Sequence, residues 1–197
     1  MARPKLPSEP AEWGKLFKDI QEDAEDRTAV LLGATLVEAA LERMLLSWLV
    51  SEKAVEDFFD PMKSDFLSTF GAKKNLAYAL GLLEDENEKK LVQAVASIRN
   101  VFAHHMLDAT FAHPLAVGPM KTLRALFDAK FPDWTPTPSD RTVFVGAVRN
   151  MALALNMRCL DPRTAKRFRS DVQQRVKRQW VAAARRVRRK RSQEAGK

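Results

Sequence analysis

Residues 24–50 read AEDRTAVLLGATLVEAALERMLLSWLV. From Ala29 onward apolar side chains occupy nearly every helical angle, so a helix here has little face to give to water and belongs at the centre of a fold. Glu38, Glu42 and Arg43 interrupt the run; they are costly inside a bilayer, and a buried core helix suits them better than a membrane span. The chain has only seven glycines in 197 residues, and apolar spacings of three and four prevail over alternation. The expected fold class is therefore all-α: a helical bundle with a C-terminal helical extension and a basic terminal helix.

Upstream, residues 1–8 read as a loose leader, and Pro10 to Glu22 as a short helix with Trp13, Leu16, Phe17 and Ile20 on one face. Downstream, Ser51 can cap a short helix carrying Val55, Phe58 and Phe59, which Asp60-Pro61 ends. Residues 62–72 read as a loop with a turn or short helix, and Lys73 to Leu83 as a helix. Glu84, Asp85, Glu86 and Glu88 put negative charge at the start of another, which carries Leu91, Val92, Val95, Ile98, Val101 and Phe102 and ends near His104 or His105. His113-Pro114 and Gly118-Pro119 mark a break before a helix from Met120 to Phe131. The proline-rich stretch PDWTPTPS (132–139) is a loop, Asp140 caps a long apolar helix running to about Cys159, and Asp161-Pro162 starts a last helix reaching about Arg191. The organisation expected is a leader and short helix (1–23), a helical domain (24–115), further helices on the same core (116–160), and a basic helix and tail (161–197).

Charge is distributed unevenly. Residues 163–197 hold 14 Lys/Arg against two acids, while residues 1–162 hold 19 against 23. Phe168, Val172, Val176 and Trp180 recur every fourth residue in the basic part, among Arg175, Lys177, Arg178, Arg185, Arg186, Arg188, Arg189, Lys190 and Arg191. That is a basic amphipathic helix, and these cations are the candidate nucleic-acid contacts. A helix docked on the acidic body, or a merely solvated one, fits the same pattern; a membrane surface fits less well, since the apolar stripe is thin in Leu, Phe and Trp. The single Cys159 suits a reducing compartment, and the N-terminus carries no apolar signal core, so a cytoplasmic protein is expected.

The most informative motif is Ser97-Ile98-Arg99-Asn100-Val101-Phe102-Ala103-His104-His105. With Arg27 to Leu46 and Phe70 to Leu83 (FGAKKNLAYALGLL) upstream, it resembles the mannitol operon repressor (MltR) family, whose signature has the form Arg-Asn-x-Phe-Ala-His. More broadly it is similar to the Arg-x4-6-His motif of the HEPN superfamily of helical bundles. The resemblance spans residues 24–115, about half the chain. It implies a regulatory protein in transcriptional control or nucleic-acid association or, alternatively, a toxin-like, metal-independent endoribonuclease with its motif at a dimer interface.

Geometry gives the motif a physical sense. Asn100 and His104 are four residues apart and share a helix face, whereas Arg99 points about 140° from His104. A composite site of Arg99, Asn100 and His104 therefore needs a relaxed helix end or a second chain, and a homodimer is expected. In the catalytic reading, His104 moves the proton of a ribose 2′-hydroxyl, Arg99 holds the phosphate, and Asn100 orients either. In the other, the three residues lock a helix end, buried and fully hydrogen-bonded. Arg149-Asn150 repeats the dipeptide with no histidine after it, so the pair alone is not diagnostic.

Glu38 and Glu42, one turn apart, can face that site or form ion pairs; Lys73 and Lys74 can contact phosphate or simply be solvated. His104, His105 and His113 do not make a metal motif, and there is no P-loop, GxGxxG or GxSxG. No cofactor or metal is expected. No helix-turn-helix stands out, so regulation through a protein partner is also open.

Overall fold

A computed structural model describes residues 6–48, 57–59, 66–83, 85–105, 109–132 and 137–159. Among them lie α1 (Pro10–Glu22), α2 (Asp26–Trp48), α3 (Phe70–Ala79), α4 (Glu86–His104), α5 (Pro114–Lys130) and α6 (Asp140–Arg158), and no strand. The all-helical bundle expected from the sequence is what the chain forms.

α2 packs against α1, α3, α4 and α6, and α6 packs against α1, α2, α4 and α5. These two apolar helices form the axis of the bundle. Ala29, Val30, Ala34, Val37, Leu41, Met44 and Leu45 of α2 are buried, as is the unbroken run Val143–Val148 of α6. Gly33 lets the two helices approach: a β-carbon there would lie 3.2 Å from Val148 Cγ1 and 3.3 Å from Phe144 Cε1. Around this axis Trp13 and Phe17 of α1 stack with ring centres 5.6 Å apart, and Phe111 bridges Phe102 and Phe144 at 5.2 and 5.9 Å. Each large side chain so buried contributes about 1.5–3 kcal/mol relative to exposure.

Arginines join the helix ends. Arg141, on the first turn of α6, donates to the Ile20 carbonyl at 2.8 Å, to the Ala24 carbonyl, and to Asp26 Oδ1 at 3.3 Å. It thus satisfies carbonyls at the end of α1 and after it while pairing with the first residue of α2. At the far end of α6, Arg158 donates to the Leu82 carbonyl at 2.8 Å and to Glu88 Oε1 at 2.6 Å, linking α6 to the start of α4.

Three boundaries differ from the sequence reading. α3 starts at Phe70 because the Thr69 hydroxyl accepts from the Ala72 amide, and it stops at Ala79 because Gly81 takes a positive φ of 68°. The Leu82 amide then donates to the Ala77 carbonyl and the Gly81 amide to Tyr78, a Schellman closure. α5 starts at Pro114 rather than Met120: the expected break at His113-Pro114 is a helix start, with His113 Nδ1 accepting from the Leu115 amide and proline at the first position. Pro119 is accommodated inside α5; its missing N–H costs the Leu115 carbonyl a helical bond on the solvent side, where Leu115 is exposed. Ser139, not Asp140, caps α6 through the Thr142 amide at 3.1 Å, leaving Asp140 in the first turn beside Arg124. The short helix expected after Ser51 lies largely outside the described residues; 57–59, the part described, are helical.

Candidate functional site

α4 carries the motif, and its amphipathicity decides what the motif can do. Val92, Val95, Ile98, Val101 and Phe102 are buried against the bundle. That pins the opposite stripe outward. Asn100 and His104 are both exposed, one turn apart on one face, and Arg99 beside them is half-buried. Arg99 Nη1 donates to Asn100 Oδ1 at 3.2 Å. Among the described residues His104 accepts and donates no side-chain hydrogen bond. The buried, fully bonded arrangement that a structural lock requires is therefore not the arrangement found. The structure brings Arg99 to Asn100 and leaves His104 at the helix end, open to a ligand or a second chain.

The helix ends after His104. The His105 amide still bonds the Val101 carbonyl at 2.9 Å, and the His105 ring lies 4.3 Å from that of His113, the cap of α5. The three histidines thus split into one exposed on α4 and two that face each other where α4 hands over to α5. Sequence reasoning misses this pairing because residues 105 and 113 lie on opposite sides of a loop. Among the described residues no group of three His, Cys, Asp or Glu gathers as a metal site would need.

Glu38 and Glu42 are not turned to the motif. Lys73, only 5% exposed, places its Nζ 2.9 Å from Glu38 Oε1 and 2.9 Å from Glu42 Oε2. The spacing of four on α2 makes a two-carboxylate socket, and the lysine of α3 fills it. Removing the ammonium would leave two like charges at close quarters in a half-buried site. Lys73 is thereby engaged in the fold and is no phosphate ligand, contrary to one option left open by the sequence.

Lys74, the next residue, has a different setting. It is half-buried and donates to Gln93 Oε1 on α4, at the side of an open groove of about 320 Å³ that Lys89, Lys90, Ser97 and Thr122 also line. Burial, and then the nearby Lys89, hold its ammonium below the usual lysine value. The sequence signal for this groove is weak, since lysines at helix surfaces are usually solvated. Arg149, whose Arg-Asn pair repeats the motif, lies in the interior side of α6, and burial brings its guanidinium down to about 10. Both arginines are half-buried; the pairs differ in their asparagines, Asn100 being exposed and Asn150 half-buried.

No family model, curated protein or solved structure matches this chain. The geometry of α4 must therefore carry the functional argument alone. The basic residues Arg175, Lys177, Arg178, Arg185, Arg186, Arg188, Arg189, Lys190 and Arg191 lie outside the described residues, and so does every other residue of the expected terminal helix. No helix among the described residues is long and apolar enough to cross a membrane.

Proposed function

We propose that this chain is a nucleic-acid-associated regulatory protein of the mannitol-repressor type. It meets phosphates with the exposed face of α4 and with its basic C-terminal segment. The observation that carries this reading is the outward placement of Asn100 and His104, with Arg99 bonded to Asn100 instead of being consumed by the core. A polar motif held at the surface by a buried opposite stripe is built to meet something outside its own fold. The 14 Lys/Arg of residues 163–197 supply sequence-independent attraction for the same class of ligand. The reading carries a cytoplasmic location and a homodimer with it: Arg99 and His104 diverge on one helix, so a second chain supplies the missing half of a composite site.

A second reading, metal-independent RNA cleavage, is favoured by one specific feature. The His104 side chain makes no hydrogen bond among the described residues, and an exposed imidazole open to a ligand can give or take a proton. Incubating labelled RNA with the full chain in EDTA, beside His104→Ala and Arg99→Ala, separates the two. Binding without cleavage, weakened in both variants, supports association. Cleavage lost in both variants supports the nuclease. RNA and DNA that bind neither the parent chain nor its variants would remove both readings.

A further inference from the structure

The groove between α3, α4 and the front of α5 sets lysines, Gln93, Ser97 and Thr122 around apolar surface that includes Ala94 and Pro119. Lys74, Lys89 and Lys90 contribute three positive charges against the one carboxylate of Glu86. That carboxylate is already engaged, accepting from the Tyr78 hydroxyl at 3.1 Å and lying 3.8 Å from Lys89 Nζ. Lys89 is held over the Tyr78 ring at 3.8 Å, which fixes its position on the groove wall. On the groove wall Lys74 donates to Gln93 Oε1, and Gln93 Nε2 donates to Ser97 Oγ at 3.1 Å. Ser97 receives at its oxygen, so its hydroxyl hydrogen is left to point at whatever enters. Lys74 retains two further N–H groups.

The groove does not end blindly. Lys90, Gln93, Ser97, Asn100 and His104 follow one another at intervals of three and four, which places them on one stripe of α4. Ser97 and His104 are separated by about 10 Å of helix. A ligand seated on the lysines by one phosphate and extending along α4 reaches the motif face; a lone small anion does not.

We infer that this groove binds a phosphate of a nucleic-acid strand and directs that strand along α4 toward Asn100 and His104. Lysines act here as point charges for phosphate oxygens, and Ser97 adds a hydroxyl donor. The inference rests on the proposed nucleic-acid association but makes a separate claim, that the folded body and not only the basic tail holds the strand.

The test uses the full chain, isotopically labelled, titrated with a single-stranded RNA octamer while backbone amide resonances are followed. Lys90, Gln93, Ser97 and Thr122 are expected to shift with the same midpoint as Asn100 and His104. The variant Lys74→Gln/Lys89→Gln/Lys90→Gln should lose affinity by on the order of tenfold or more. Its log–log salt slope should be shallower by about 0.7 for each phosphate that the lysines no longer neutralise. Lys15→Gln, an exposed lysine on α1, should leave both unchanged. Unchanged affinity and slope in the triple variant, with shifts confined to residues 163–197, would overturn the groove while leaving nucleic-acid association intact. Saturation of the groove amides by inorganic phosphate, with no tighter response to the octamer, would overturn the strand path and weigh against the association as well. A folded chain that responds to neither probe overturns both. Circular dichroism of the triple variant excludes unfolding as the cause of any loss.

Discussion

Gly33 and Lys74 show how much a single position decides. At Gly33 the space that α2 leaves to α6 is smaller than a side chain needs, with Val148 and Phe144 3.2–3.3 Å from where a β-carbon would stand. Both neighbours are buried, so neither can swing into solvent. Gly33→Leu should therefore destabilise the chain by about 1–3 kcal/mol, despite leucine's better helix propensity. Thermal melts by circular dichroism check this, and an unchanged midpoint would show that the seam is looser than the distances say. Lys74 decides chemistry instead of packing. Its ammonium is held below the usual lysine value first by burial and second by Lys89; Lys90 and Glu86 are the other charges of the groove. A bound anion favours the charged form, so affinity is full while Lys74 is protonated. It falls as pH rises through the lowered value, earlier than an ordinary lysine would allow. Binding of an oligo(dA) strand measured from pH 7 to pH 10 should show that early decline, and Lys74→Arg should move it upward because a guanidinium keeps its proton. A decline that starts at the same pH in both proteins would take Lys74 out of the binding step.

Helix ends carry the next level of specification. The end of α3 depends on Gly81 at φ 68°, where the Leu82 amide closes on Ala77 and the apolar Leu82 side chain turns into the core. A β-carbon at Gly81 would meet open space, so the cost of Gly81→Ala is conformational alone, about 1 kcal/mol. At α6, Ser139→Ala removes the bond to the Thr142 amide and should cost a similar ~1 kcal/mol. Urea denaturation of the two variants and their combination measures this; the effects should add, because the sites share no partner. The same ends explain which elements can be read from sequence. α1 has the boundaries that proline at its first position and one apolar face imply, and α2 is central because a broad apolar face meets four other helices, leaving only a narrow side with Thr35 and Arg43 to solvent. α5 is harder: His113-Pro114 and Gly118-Pro119 are local breakers whose cost is offset by a cap and by burying Ala116, Met120, Leu123 and Phe127. The motif on α4 is legible because spacing of four fixes a shared face. The Lys73 socket and the groove are not, since each joins helices whose relative placement no local pattern encodes.

For the whole molecule, the proposed attraction for phosphate has two sources that net charge separates. Residues 1–162 carry 19 Lys/Arg against 23 acids, so any affinity of that part must come from local placement of cations, as in the groove, and not from net charge. Residues 163–197, with 14 Lys/Arg and two acids, are the other proposed source of attraction for phosphate. The two contributions differ in what a substitution does. Replacing Arg185, Arg186, Arg188 and Arg189 by glutamine in the full chain removes four of those cations. The salt slope on duplex DNA should then become shallower, by up to about 0.9 for each phosphate those arginines neutralise. Preference among sequences should stay slight, because such contacts position a chain without reading bases. The groove substitutions should instead act mainly on single-stranded ligand, which can thread along α4, and leave duplex binding nearly untouched. Filter binding of one duplex and one single strand, across a salt range of about 50–200 mM for both variants, distinguishes these patterns. If the arginine variant keeps the parent slope on duplex DNA, the basic segment is not an arm for nucleic acid, and its charges serve the acidic body or the solvent instead.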